Sequence, residues 1–229
     1  MTESYRVDVQ QELFEPELFQ RAGRRDMHDW NPIELAPAVR RLGLSRVGCW
    51  DELEMEFLPG LNVITEIGSA RGKSTILRSI LQALRPMGGF LYPLTPSEGA
   101  AEGRIAVEFM YPSISCRLVA ADVPTAPESA AVSVGQRMLE TLRSHLRLSQ
   151  VGMGLLIDAD ITSPLDTPKY REAVRLLNEA TCQVICVIGA QRFDPGDFPS
   201  ARVFACTRGS GVTAGMEILQ SGGVTDGGQ

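Results

Sequence analysis

One stretch limits what this chain can fold into more than any other: Glu66-Ile67-Gly68-Ser69-Ala70-Arg71-Gly72-Lys73-Ser74-Thr75. Before it, Leu61-Asn62-Val63-Ile64-Thr65 is a short apolar, β-branched run that reads as a buried strand. After it, KSTILRSILQAL sets Ile76, Leu77, Ile80, Leu81 and Leu84 at helical spacing. A glycine-containing loop that leaves a strand and opens a helix aims backbone N–H groups and a helix N-terminus at one point, which suits an anion. Lys73 adds a point charge for outer phosphates and Ser74 a hydroxyl for Mg²⁺. The stretch therefore predicts a nucleotide-phosphate loop made of Gly68, Ser69, Ala70, Arg71, Gly72, Lys73, Ser74 and Thr75.

Lysine usage sharpens this expectation. Of 22 Lys and Arg residues only Lys73 and Lys169 are lysine, and one of them follows the loop glycine. Lysine is a compact point charge that fits inside a tight loop where the planar arginine fork does not. The pattern G-x-x-x-x-G-K-[ST] places its first glycine where Ile67 stands, and the nearest glycine is Gly68. A local departure from the usual loop form is expected, and the alternative is a glycine-rich turn that only caps a helix.

At 229 residues, with 44% hydrophobic and 22% charged residues, the chain suits one sizeable domain or a domain with appendages. No apolar run approaches the roughly 18 residues that span a bilayer, and the polar N-terminus lacks a signal-peptide core, so a cytoplasmic protein without a membrane partner is expected. Cys49, Cys116, Cys182, Cys186 and Cys206 form no C-x-x-C pair and read as structural thiols rather than metal ligands. A net charge of −6 argues against a surface built throughout for nucleic acid. The clusters Arg21, Arg24, Arg25 and Arg40, Arg41 read either as local contacts or as solvated faces.

Residues 1–40 are expected to stand apart as an arm. It carries Leu13, Phe14, Leu18, Phe19 and Trp30 and packs either on its own domain or on a partner. From Leu42, LSRVGCW and ELEMEF read as two strands, and Pro59-Gly60 turns the chain into the strand before the loop. RIAVEFMY and SCRLVAA read as two further strands that pair with them in an antiparallel lobe. Then come a helix over 134–148, a buried strand GLLID ending at Asp158, a helix over 168–180 and a buried strand QVICVI. ARVFAC and TAGMEIL close the sheet, and a Gly-rich tail over 221–229 reads as disordered. Strands alternating with helices around a phosphate loop predict an α/β fold with a mostly parallel sheet.

Three segments follow the loop in order. Ser133-Val134-Gly135-Gln136 is similar to an ABC-type signature, Leu155-Leu156-Ile157-Asp158 to a Walker B strand, and Ser163-Pro164-Leu165-Asp166 to a D-loop. With LEMEFLPGLNVITE ahead of the loop, residues 42–206 resemble ABC-class ATPase heads of the RecF/SMC-like branch, P-loop NTPases of the AAA family type, with degenerate motifs. Too few residues separate the loop helix from Ser133 for a long coiled coil.

The resemblance implies ATP and Mg²⁺ as cofactors over an ATP-binding domain at 41–220. It also implies a dimer, with itself or with another ATPase head, in which Ser133, Gly135 and Gln136 act across the interface and Asp166 lies at it. Ser133 as an ordinary helix N-cap is the plainer alternative. Ser74 and Asp158 would hold Mg²⁺. Ala159 stands where the family has its catalytic Glu, so Asp160 is the candidate for aligning water. No glutamine lies between Gln82 and Gln136, and Gln191 is the stand-in for the γ-phosphate-sensing His.

The implied function is an ATPase that regulates or drives a protein partner, in DNA repair, mobile-element or defence processing. Contact with nucleic acid rests on family analogy alone. The alternative is a nucleotide-binding scaffold subunit with weak or no turnover. A transporter subunit is disfavoured, since no helical coupling segment is visible.

Overall fold

The computed structural model describes residues 6–9, 33–68, 72–84, 94, 97, 102–110, 134–148, 153–157, 165–208 and 214–222. In chain order the elements are β1 (Arg6–Val9), β2 (Ile33–Pro37), β3 (Val39–Val47), β4 (Trp50–Glu56), β5 (Leu61–Glu66), α1 (Lys73–Leu84), β6 (Arg104–Phe109), α2 (Val134–Leu148), β7 (Met153–Ile157), α3 (Thr167–Asn178), β8 (Gln183–Val187), β9 (Arg202–Arg208) and β10 (Ala214–Ser221). They form an α/β structure with a six-stranded mixed sheet, β10-β9-β5-β8-β7-β2, and a four-stranded antiparallel sheet, β1-β6-β3-β4.

The centre of the larger sheet, β9-β5-β8-β7, is parallel. Strands buried on both faces read as continuous apolar runs rather than alternating ones, and LNVIT, GLLI and QVICV do so. Alternate residues serve different cores. Val63, Leu155, Val184, Cys186 and Val203 pack with Leu139 and Leu142 of α2 and Ala173 and Leu177 of α3. Ile64, Leu156, Ile185, Val187 and Phe204 pack on the opposite face with α1.

Helix α1 lies between the two sheets. Ile76, Leu77, Ile80 and Leu81 are all buried, and they share one core with Leu42, Leu44, Met55, Ile105 and Val107 of the smaller sheet. At about 1.5–3 kcal/mol for each fully buried aliphatic side chain, this layer is the main fixture of the helix that opens at Lys73. The smaller sheet buries Leu53 and Met55 of β4 and exposes Glu52, Glu54 and Glu56, the alternation of a sheet with one solvated face.

One buried polar side chain joins the two sheets, and a second closes the turn into β5. Gln183, buried at the start of β8, accepts from the Val39 N–H at 2.7 Å and donates to the carbonyls of Val39 at 2.7 Å and Leu58 at 2.8 Å. Asn62 accepts from the Leu58 N–H at 2.8 Å and donates to the Leu58 and Gly60 carbonyls at 2.9 Å, which closes the Pro59-Gly60 turn into β5.

The N-terminal boundary differs from the sequence expectation. Residues 1–40 do not stand apart as an arm wherever they are described. β1 pairs antiparallel with β6, and β2 pairs antiparallel with β7 as the last strand of the larger sheet. Four and five residues are too few to show a period, and Pro37, without an N–H, suits an edge strand. Ile33 and Ala36 are fully buried, so β2 is integral to the core. β3 likewise begins at Val39, ahead of Leu42. The sheets are mixed overall, with the antiparallel strands β2 and β10 flanking the parallel centre. The apolar residues at 13, 14, 18, 19 and 30, the segment 115–121 and the tail from 223 lie outside the described residues.

No helix among the described residues is long and apolar enough to cross a membrane. Among them, no group of three His, Cys, Asp or Glu is placed to hold a metal ion.

Candidate functional site

Parallel strands put their C-terminal ends on one edge of a sheet, where the connecting segments converge and ligands are most often held. On that edge lie the end of β5 with the loop into α1, the end of β7 directly before Asp158, and the turn after β8 that carries Gln191. β8 separates β5 from β7, so the ends of the latter two are about 10 Å apart across the sheet. Ile157 and Val63 are level, since both pair with Cys186.

α2 and α3 bring their N-termini to the same edge. Arg143 of α2 bonds Glu172 of α3 at 3.0 Å, and Leu146 and Arg147 share a groove with Arg175, Leu176 and Glu179 nearer the C-terminal ends. The two helices therefore run in the same direction, and Gly135 and Gln136 lie in the first turn of α2. Gly135 is buried, and the Gln136 amide donates to Glu140 at 3.0 Å.

The loop itself starts from the ladder. The Ile67 N–H still bonds the Cys206 carbonyl at 2.9 Å, and its side chain is 47% exposed. The next residue, Gly68, has φ +69°. The turn that the usual pattern assigns to a glycine at position 67 is made one residue later, where this chain has its glycine.

Gly72 has φ +107°, and its carbonyl accepts the first bond of α1, from the Ile76 N–H at 3.2 Å. Gly72 thus caps the helix without a side-chain oxygen, and no acidic residue lies in the first turn. The N–H groups of Lys73, Ser74 and Thr75 find no acceptor among the described residues, nor does the Ser74 hydroxyl donate there. Unfilled N–H groups at the positive end of a helix dipole are an anion-binding arrangement.

Trp50 props this turn from below. Its ring is fully buried, Nε1 donates to the Gly72 carbonyl at 3.3 Å, and its own carbonyl accepts from Ser97 Oγ at 3.1 Å. A Cβ at Gly72 would stand 2.8 Å from Cys49 Sγ and from two atoms of the Trp50 ring. The β3–β4 turn is thereby packed against the loop, with Gly48 also lying against the Thr75 side chain.

Lys73 Nζ is bonded to Glu66 Oε2, across the mouth of the loop from the last residue of β5. Beneath this pair lies Cys206. Burial pushes its thiol up to about 12 against the opposing pull of Lys73.

Neither a family model nor a curated protein matches the chain.

The remaining candidates divide into two groups. Asp166 is the N-cap of α3: Oδ1 accepts from the Lys169 N–H at 3.1 Å, and the hydrogen bond from the Lys169 side chain is the main cause that holds its carboxyl below the usual range. Gln191 is exposed in a turn closed by the Arg192 and Phe193 N–H groups on the Gly189 carbonyl. That turn is tied to α3 by Tyr170 Oη, which donates to the Arg192 carbonyl at 2.8 Å. Ser69, Ala70, Arg71, Ser133, Asp158 and Asp160 lie outside the described residues.

Sequence reasoning missed Trp50, Cys49 and Glu66. For Glu66 the signal was available, because an acidic residue at the root of a phosphate loop needs a cation and the chain has only two lysines. For Trp50 the only hint was a bulky aromatic just after a glycine turn.

Proposed function

We propose that the chain is an ABC-class ATPase head, a P-loop NTPase of the RecF/SMC-like branch, which binds ATP with Mg²⁺, pairs with a second head and so regulates or drives a protein partner. The observation that carries this reading is the start of α1. Gly72 caps it without a side chain, the next three N–H groups find no acceptor among the described residues, and Lys73 and Ser74 stand at its first two positions. This donor set fits a triphosphate: N–H groups and an ammonium for the oxygens, a hydroxyl for the cation. The strand order adds support, since the end of β7, which precedes Asp158 in sequence, and the end of β5, which precedes the loop, share one edge with β8 between them.

In this reading Ser74 and Asp158 hold Mg²⁺, Lys73 and the loop amides offset phosphate charge, and Asp160 aligns water. Bound MgATP supplies the γ-phosphoryl group and shares its charge with the cation. Ser133, Gly135 and Gln136 of a second head face the phosphates, as the position of the α2 N-terminus on the same edge allows. A homodimer and a heterodimer with a better-equipped head both satisfy this arrangement.

A second reading, a scaffold that binds ATP without turning it over, is favoured by Ala159 in place of the catalytic Glu. The two are separated by measuring phosphate release and mass by light scattering with MgATP, for the wild-type chain, Lys73→Ala and Asp160→Asn. An ATPase releases phosphate in a manner lost in both variants. A scaffold dimerises through Lys73 and releases none. Failure to bind any nucleotide would reject both.

A further inference from the structure

The geometry points to Glu66 as a built-in competitor for Lys73, which holds the site closed to free nucleotide and makes binding depend on Mg²⁺. Glu66 is the last residue of β5 and lies on the face that Ile64 turns toward α1, since Ile64 pairs with Phe204 and Glu66 with Cys206, both in the α1-side core. Its carboxylate meets Lys73 Nζ directly. Among the described residues each is the other's only side-chain partner, and their side chains are 21% and 18% exposed, so water and salt screen the pair only in part.

Lys73 opens the helix whose first three N–H groups find no acceptor among the described residues, and it supplies the positive charge of that first turn. Glu66 cancels that charge while the site is empty. An arriving polyphosphate must take Lys73 from Glu66 and then lie beside a freed carboxylate of its own sign. A divalent cation removes two negative charges from the ligand and gives the freed carboxylate an opposite charge to face. Discrimination between free and Mg²⁺-loaded nucleotide thus resides at the root of the loop, in a residue outside the phosphate-contacting set. This competition rests on the phosphate site proposed above.

Titration of a fluorescent ATP analogue into the full chain, with and without Mg²⁺, tests it on the wild type, Glu66→Gln, Glu66→Ala, Lys73→Ala and the Glu66→Gln/Lys73→Ala double variant. Thermal melts without nucleotide check that each is folded. Glu66→Gln and Glu66→Ala are expected to bind the Mg²⁺ complex about tenfold tighter than wild type, or about 1.4 kcal/mol. Their ratio of affinities with and without Mg²⁺ should shrink, and the gain should be smaller in the Lys73→Ala background. Unchanged or weaker binding by Glu66→Gln, while the wild type binds and Lys73→Ala does not, overturns the competition and leaves the phosphate site standing. An equal gain in the Lys73→Ala background assigns the effect to plain repulsion and overturns it as well. No binding by wild type and Glu66→Gln alike removes both the competition and the site.

Discussion

Replacing Gly72 with alanine tests whether the β3–β4 turn is a rigid prop for the loop. On the observed backbone the new Cβ lies 2.8 Å from Cys49 Sγ and from Cε2 and Cζ2 of Trp50, at a residue whose φ is +107°. Neither neighbour can yield without loss. Trp50 is fully buried and bonded through both Nε1 and its carbonyl. Backbone strain of about 1–3 kcal/mol and overpacking of about 1–3 kcal/mol sum to roughly 2–6 kcal/mol. For a chain of this size, about 2–4 °C per kcal/mol converts that loss to a fall in melting temperature of roughly 4–24 °C. Gly68→Ala is the control: φ is +69° there too, but no heavy atom of the described residues lies within 4 Å of the added Cβ, so only about 1–2 kcal/mol of backbone cost applies. Scanning calorimetry of both variants beside the wild type decides the matter. If Gly72→Ala melts with Gly68→Ala, Trp50 and Cys49 give way freely and the prop does not exist.

Two further perturbations follow from the same packing. Gln183→Leu leaves the buried N–H and C=O of Val39 without their Gln183 partner, and the Leu58 carbonyl with Asn62 alone, a loss of about 2–4 kcal/mol; urea unfolding should show a lower midpoint at unchanged slope. Glu172 is held by Arg175 and Arg143, which pull its carboxyl from an ordinary 4.5 down to about 2. A carboxyl whose folded pKa is depressed stabilises the fold fully above its unfolded value and ceases to as pH falls through the folded one. Melting temperature should therefore fall more steeply between pH 4.5 and 2 in the wild type than in Glu172→Gln, and parallel profiles would show that the ion pairs are not the cause.

Much of the fold was legible because its signals are local. The runs around β5, β7 and β8 are apolar on both faces, and the apolar positions of α1, α2 and α3 keep helical spacing, so their burial follows from pattern alone. The displaced glycine was legible as well, and the positive φ at Gly68 gives it a backbone meaning. β1 and β2 were not legible, since strands this short are specified by pairing with β6 and β7 rather than by their own residues. The contacts of Trp50 and Gln183 were hidden for a related reason. Each joins segments far apart in sequence, Trp50 with Gly72 and Gln183 with Val39 and Leu58, and neither residue type names its partner. Glu66 and Lys73 are close in sequence, and their pairing could have been expected from charge.

The most direct test of the phosphate site is calorimetric titration of MgATP into the full-length chain beside Lys73→Ala. The account predicts saturable binding to the wild type at one site per chain, and loss of most of that affinity in the variant. Equal affinity in the two proteins, or no heat of binding in the wild type, would contradict it.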